Sequence, residues 1–409
     1  MKILFIGGQG RLSDANSVCI RNMAKEMLSR GHKVWILATG REHSVIEREQ
    51  DGAFFVEVPM DYYSRLILLV KKKKNGALSV FYKIVSLLRH IFLLPFYPHT
   101  SPYRSIRLAH YAKKLVENNE IDLVVSTYCP FENIYAGIRL KKRFGRKIKV
   151  VSYHLDLRTG SQNSSSLVRR YIHRHSLNSL IKENKIVDKM LIPYSGFEEM
   201  NKVASQLSNK VQYVGFPVFI VDGVKEECAL PFEENTINIS YIGTLNASNR
   251  NPQYFIDLLE MLSSKIGIKV LAHFWGDMGS LENVLRSSHV TRYHGKIDSN
   301  YVRYILDNSD FLLNIGNRIA YEMLPSKIFS LFATGKPIIN MITHPKDASL
   351  PFFDRYKNSV GIREYYRDPN DVTLLADFIE SKRGVEPINV NTLFDDFTPA
   401  FLCNLIISK

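Results

Sequence analysis

Short apolar runs alternate with helix-spaced apolar positions from the start of the chain. KILFIG is a continuous apolar run ending in glycine. ANSVCIRNMAKEMLSRG follows, with Val18, Ile20, Met23, Ala24, Met27 and Leu28 on one helical face and Gly31 closing it. HKVWILAT, GAFFVEVP and IDLVVST predict further strands. A helix over Glu132–Phe144, the strand KIKVVSYH, a long helix near Ser165–Asn184 and the strand KMLIPY come next. Strands that are apolar throughout, rather than alternating, are buried on both faces and belong to parallel sheets covered by helices.

The rhythm restarts at INISYIG. NPQYFIDLLEMLSSK, SLENVLRSS and SNYVRYILDNS read as helices between the strands IKVLAHFWG, VTRYHG and DFLLNIG, and PSKIFSLFATGKPII adds a helix and a strand. Between the two series, FPVFIVDGVKEECALPFEEN has neither period and carries Pro217 and Pro231, as a linker does. The pattern predicts an α/β protein of two Rossmann-like domains facing a cleft. Residues 1–215 form the first, 216–236 the linker and 237–390 the second. Residues 391–409 end in a helix with Thr398 as N-cap and Pro399 at its first position, crossing back onto the first domain. A length of 409 residues independently favours two cores over one.

Composition changes this picture in one place. Apolar content of 45% and charged content of 23% are those of an ordinary globular protein, but the net charge of +14 calls for an anionic partner. From Arg65 to Val116 there is no Asp or Glu, while Lys71, Lys72, Lys73, Lys74, Lys83 and Arg89 are among the basic residues interleaved with Leu, Ile, Phe and Tyr. An insertion at about 65–114 in the first domain therefore suits an anionic membrane surface, where each basic residue contributes about 1 kcal/mol. No nucleic-acid-binding motif accompanies it. LSVFYKIVSLLRHIFLLPFYP comes closest to a membrane span, but Lys83, Arg89, His90 and Pro95 interrupt it. The N-terminus has no signal-peptide pattern. Cys19, Cys129, Cys228 and Cys403 lie far apart, which predicts buried thiols in a reducing cytoplasm and no metal site.

Several strand ends carry candidate chemistry. GGQGRLSDA departs from GxGxxG at Ser13, so a dinucleotide site is disfavoured, but Gly8, Gly10 and Arg11 stand where doubly wound sheets bind ligands and are candidates for contacting an acceptor. In YIGTLNASNRNPQYF, Gly243 and Thr244 end a strand, and Arg250 and Asn251 precede a helix, a junction suited to phosphate. Gly276, Gly295 and Ile297 end two further strands where backbone can approach a flat base. In EMLPSKIFSLFATGKPII, Pro325 predicts a helix start, the helix runs to about Thr334 and Gly335 closes it. The free N–H groups of Ser326 and Lys327, with the lysine charge, make a diphosphate-sized anion site, and Glu322 can accept from sugar hydroxyls. His154, Asp156 and Arg158 fall on one side of the strand end VVSYHLDLRTG.

YIGTLNASNRNPQYFI, HGKIDSNYVRYILDNSDFLLNI and PSKIFSLFATGKPII together resemble the nucleotide-sugar domain of retaining GT-B glycosyltransferases, family four in particular. The first half is similar in architecture only. The resemblance implies a nucleoside-diphosphate-sugar donor, with no cofactor and no metal. Arg250 and Lys327 would hold the diphosphate, Glu322 would contact the donor sugar, and His154 or Asp156 would lie beside the reacting sugar. The second acid of the family's Glu-x7-Glu signature falls on Ser330, which cannot repeat a bidentate carboxylate contact to a ribose. Taken with the basic amphipathic stretch, the phosphate-site series points to a lipid-linked or cell-surface glycan acceptor at the inner face of the plasma membrane. A nucleotide-sugar epimerase of the same shape and a non-catalytic partner subunit with a degenerate donor site are the alternatives.

Overall fold

The apolar runs become the central strands of two sheets. This is a computed structural model, and it describes residues 1–8, 15–73, 76–155, 167–194, 200–201, 203–221, 226–263, 265 and 267–408. One unit comprises Met1–Val218 with Asp396–Lys409, and the other Phe219–Asp395.

In the first unit the elements run β1 (Lys2–Ile6), α1 (Ala15–Ser29), β2 (Lys33–Gly40), β3 (Ile46–Gln50), β4 (Ala53–Pro59), α2 (Tyr62–Lys73), α3 (Gly76–Leu93) and α4 (Pro102–Asn119). They continue with β5 (Leu123–Tyr128), α5 (Phe131–Phe144), β6 (Lys149–His154), α6 (Leu167–Ile186), β7 (Lys189–Pro193) and β8 (Val211–Val214). The strand order is β3-β4-β2-β1-β5-β6-β7-β8, parallel except for β3. Alternate residues of one strand enter different cores: Leu4 and Ile6 join α4 and α5 residues, whereas Ile3 and Phe5 join α1 and the C-terminal helix. Burial on both faces is why β1 reads as an unbroken apolar run.

The C-terminal helix Pro399–Ile407 returns to this unit. The Thr398 hydroxyl caps it by accepting from the Phe401 amide at 3.2 Å, with Pro399 at its first position. Arg30, just after α1, donates to Asn404 Oδ1 at 2.6 Å and to the Ala400 carbonyl at 3.1 Å. At the far end, Lys189 Nζ donates to the Leu405 carbonyl at 2.6 Å and Lys149 Nζ to that of Ile406 at 3.1 Å. Two cations thus satisfy carbonyls a helix C-terminus leaves open. Cys19 and Cys403 are buried, but Cys129 is exposed and Cys228 half-buried, so the expectation of buried thiols fails for the last two.

The second unit has six parallel strands: β9 (Ile237–Ile242), β10 (Val270–Trp275), β11 (Thr291–Tyr293), β12 (Phe311–Ile315), β13 (Ile338–Ile342) and β14 (Ser359–Arg363). Their order is β11-β10-β9-β12-β13-β14. The chain builds outward from β9 in one direction, then returns to build from β12 in the other. Connections after β9 and β12 therefore diverge, which opens a crevice at their carboxyl ends. The helix expected over Pro325–Thr334 is shorter, Lys327–Phe332 with Ser326 at its N-cap. The Ile328 amide donates to the Pro325 carbonyl and that of Phe329 to Ser326, both at 3.3 Å, so the entry is a tight turn and Pro325 precedes the helix.

Candidate functional site

The loop after β9 folds on itself and is then fastened to the exit of β12. The Asn246 carbonyl accepts from the Arg250 amide at 2.7 Å, and Asn246 Oδ1 from the Ser248 amide at 2.9 Å. Asn249 Oδ1 accepts from the Ile319 amide at 2.9 Å, and Asn249 Nδ2 donates to Asn317 Oδ1 at 3.1 Å. Arg250 Nε donates to the same Asn317 oxygen at 2.8 Å. Asn317 is buried, so it fixes the guanidinium from one edge. Asn251 Oδ1 accepts from the Gln253 amide at 2.9 Å and starts the helix Gln253–Ser263.

Lys327 reaches the same place from the other side of the crevice. A methyl group built on Gly243 would stand 3.0 Å from the Tyr241 hydroxyl and 3.4 Å from Lys327 Nζ. Lys327 is open to solvent, yet its ammonium is surrounded by enough protein that partial desolvation lowers its pKa, and the charge of Arg250 lowers it further. Burial pushes the Tyr241 phenol up to about 12, with Arg250 acting in the opposite direction. Among the described residues neither Arg250 nor Lys327 has a carboxylate within ion-pairing distance. Their neighbours do: Arg318 pairs with buried Glu364 at 2.5 Å and Lys296 with Asp277 at 3.5 Å. Two like charges held together without an acid form a site for an anion.

Backbone forms the remaining wall. At Gly276, φ is +128°, and a Cβ there would lie 1.9 Å from the Gly243 carbonyl oxygen, so only glycine fits. The Gly276 amide donates to the Gly295 carbonyl at 2.8 Å. Ile297 is half-buried beyond Gly295, and Thr244 is exposed, its carbonyl accepting from the Tyr241 hydroxyl at 3.1 Å. Glu322 and Ser330 are exposed and Ser326 is half-buried. Asn317 and Tyr241 are not singled out by the sequence pattern, although Asn317 follows the glycine that ends β12, as Thr244 follows the one that ends β9. Among the described residues no group of three or more His, Cys, Asp or Glu side chains is arranged to hold a metal.

In the first unit, Gly8 follows β1 at the switch point between β1 and β5. Gly10, Arg11, Asp156, Arg158 and Lys74 lie outside the described residues. His154, expected on an open strand end, is instead buried, 1% exposed, with Nε2 2.9 Å from Glu183 Oε1 of α6. An imidazole and a carboxylate that neutralise each other's polar edges can be carried into the core together. Lys71, Lys72 and Lys73 belong to the last turn of α2. Lys83 is exposed, but Arg89, expected on the membrane face, turns inward to lie 3.9 Å from the centre of the Tyr63 ring and to hydrogen-bond the Thr100 carbonyl. The ring face on the adjacent helix and the Thr100 carbonyl both attract the guanidinium there.

Residues 17–182 match the family described as Glycosyltransferase Family 4. That stretch is similar to a family 4 glycosyltransferase domain. It is the half in which the sequence resembles the family by architecture alone, whereas the quoted motifs lie in the other. Among solved structures, the glycosyltransferase WaaG, described as involved in lipopolysaccharide biosynthesis, is 12% identical with a TM-score of 0.59, all of each chain being covered. A sucrose-phosphate synthase from Thermosynechococcus elongatus is 11% identical, with a TM-score of 0.54 over 99% of this chain and 93% of the other. A UDP-GlcNAc 2-epimerase from Methanocaldococcus jannaschii is 10% identical, with a TM-score of 0.56 over 99% of both. At these identities the likeness is one of fold, the GT-B arrangement of two Rossmann-like domains. No curated protein matches the sequence.

Proposed function

We propose that this protein is a family 4 glycosyltransferase that transfers a sugar from a nucleoside-diphosphate-sugar to a lipid-linked or cell-surface polysaccharide acceptor, with retention of anomeric configuration. The observation that carries the donor half is the pair Arg250 and Lys327, brought together at a switch point with no acid among the described residues to neutralise them. A departing nucleoside diphosphate gains negative charge as the glycosidic bond breaks. Fixed cations aimed at that charge stabilise the transition state without reorganising, in the role a metal plays elsewhere. Gly243, Gly276, Gly295 and Ile297 would present backbone to the base, Ser326 and Asn251 would border the phosphates, Thr244 and Glu322 would contact the sugar, and Ser330 one ribose hydroxyl. Gly8, with Gly10 and Arg11, would border the acceptor. The burial of His154 supports a role in holding the strand end rather than as a general base. WaaG, described as involved in lipopolysaccharide biosynthesis, has the same fold, which is in keeping with a glycan acceptor; this enzyme would sit peripherally at the cytoplasmic side of a membrane.

A panel of nucleotide-sugars screened by thermal shift identifies the donor, since a ligand that binds only the folded state raises the melting temperature. Transfer and donor hydrolysis by the purified enzyme then follow. Loss of both in Arg250→Ala and Lys327→Ala supports the proposal, and unchanged transfer overturns it. Conversion of the free nucleotide-sugar to its epimer without an acceptor would establish the epimerase reading instead.

A further inference from the structure

A row of exposed apolar side chains runs along α3. Val80, Ile84, Leu87, Leu88, Ile91 and Phe92 are each between 50% and 73% exposed. At about 100° per residue they occupy an arc roughly 140° wide. The other side of the helix faces the protein. Tyr82 stacks on Tyr63 of α2 with ring centres 5.9 Å apart, and Arg89 lies over that same ring. A surface helix ordinarily turns its apolar stripe to the core and its charges to water. Here the stripe points outward, and an exposed apolar face of this extent marks a binding surface.

Charge selects the occupant. Residues 65–116 contain no Asp or Glu, and Lys83, exposed at the border of the arc, adds to a basic surround. A second copy docked by this face would set one acid-free basic surface against another, because a two-fold contact pairs a surface with itself. Nucleic acid would meet the lysines but not Leu, Ile and Phe. A bilayer with anionic headgroups meets both. Among the described residues no helix is long and apolar enough to cross a membrane.

We propose that α3, packed on α2 through Tyr63 and Arg89, is an in-plane membrane anchor, its Val80–Phe92 stripe dipping into the interface of an anionic bilayer while exposed Lys83 and the basic charge of the acid-free stretch 65–116 favour the headgroups. This deepens the proposed function, since it says how the enzyme meets a lipid-linked acceptor, and it can fail independently.

The test is co-sedimentation with phosphatidylcholine vesicles, with and without phosphatidylglycerol, alongside light scattering for oligomeric state. The protein is expected to bind phosphatidylglycerol vesicles as a monomer. Leu87→Glu/Ile91→Glu should weaken binding at least about tenfold, or about 1.4 kcal/mol. The milder Leu87→Gln/Ile91→Gln keeps the test valid if the glutamates disturb the helix. Lys71→Gln/Lys72→Gln/Lys73→Gln should erase the preference for phosphatidylglycerol. Indifference to vesicles, binding untouched by the apolar variants, or a dimer that those variants dissociate would each overturn the anchor. Donor hydrolysis in vesicle-free buffer reports separately on the glycosyltransferase reading.

Discussion

Lys327→Met separates a binding cation from a structural one. The substitution keeps the length of the side chain and removes the charge. The Lys327 side chain makes no hydrogen bond or ion pair to the described residues, so the folded protein loses no partner. What it loses is the partial burial of a charge and the repulsion from Arg250, which in that order lower the lysine pKa. The free protein should therefore keep its stability or gain up to about 1 kcal/mol, the scale of an exposed charge pair. For a unit of this size that is a rise of about 0–4 °C. Nucleotide binding should move the other way. A charge-assisted hydrogen bond to a diphosphate contributes about 1.5–3 kcal/mol, so affinity should fall by roughly 10- to 150-fold. Calorimetric titration of the nucleoside diphosphate beside a thermal melt of the free protein reads both. Wild-type affinity should also fall as pH rises through the lowered lysine pKa, while the variant stays flat over that window. A melting temperature that drops by several degrees would make Lys327 structural. Unchanged affinity would remove the diphosphate from this place.

Three further outcomes follow from the same geometry. Gly276→Ala should destabilise the protein by about 3 kcal/mol or more, because a Cβ would meet the Gly243 carbonyl at 1.9 Å and adopt a φ that only glycine tolerates; a denaturant melt within 1 kcal/mol of wild type would refute the contact. Ser330→Glu should tighten ribonucleotide binding about fivefold and leave 2′-deoxyribonucleotides less affected, since the added carboxylate gains about 1 kcal/mol from the diol; equal or weaker binding of both means that the ribose is held elsewhere. Buried His273 is held down to about 4, first by burial and then by His294 and Arg292, with Glu233 opposing. Its neutral form is favoured by the fold, so its contribution is complete above the unfolded value of 6.5 and is lost as pH falls toward 4. The upper bound is about 3 kcal/mol, and denaturant melts at pH 7 and pH 4.5 on wild type and His273→Gln should show a steeper acid loss in the wild type.

The fold was legible where burial leaves a strong mark on sequence. β1, β2, β5, β9 and β12 are buried on both faces, so their apolar runs admit little else. β3, IEREQ, was illegible because it is an edge strand with mostly exposed residues, paired antiparallel to β4 with Arg48 reaching Glu57 and the Phe55 ring, contacts that leave no apolar pattern. The site was legible in part. Gly276 can be read as a glycine at a strand end, but its reason is the Gly243 carbonyl, which approaches from another strand. Arg250 reads as a cation before a helix, but the side chain that aims it, Asn317, lies 67 positions away. His154 shows the converse: its strand position suggested an open end, and only the distant Glu183 reveals that it is buried.

Two features break the rules by which a chain stabilises itself, and they do so differently. Arg250 and Lys327 repel, and a carboxylate in either neighbouring loop would quiet them, as Glu364 does for Arg318. The outward stripe of α3 exposes Leu, Ile and Phe that polar side chains could replace without loss of packing. Folding alone explains neither, since each leaves the isolated protein less stable or less soluble than a trivial substitution would. Such local conflicts are expected where a sequence serves binding. The chemistry of the two conflicts is complementary to different parts of one reaction: a polyanionic donor at the cations, and an acceptor with a lipid tail at the stripe. That division makes a joint prediction stronger than either half. Charge removal at Lys327 should impair donor hydrolysis and transfer alike, whereas Leu87→Glu/Ile91→Glu should spare donor hydrolysis and impair transfer only when the acceptor is presented in a bilayer. An apolar-stripe variant that lost transfer equally to a short soluble acceptor would break the link between α3 and the membrane-borne substrate.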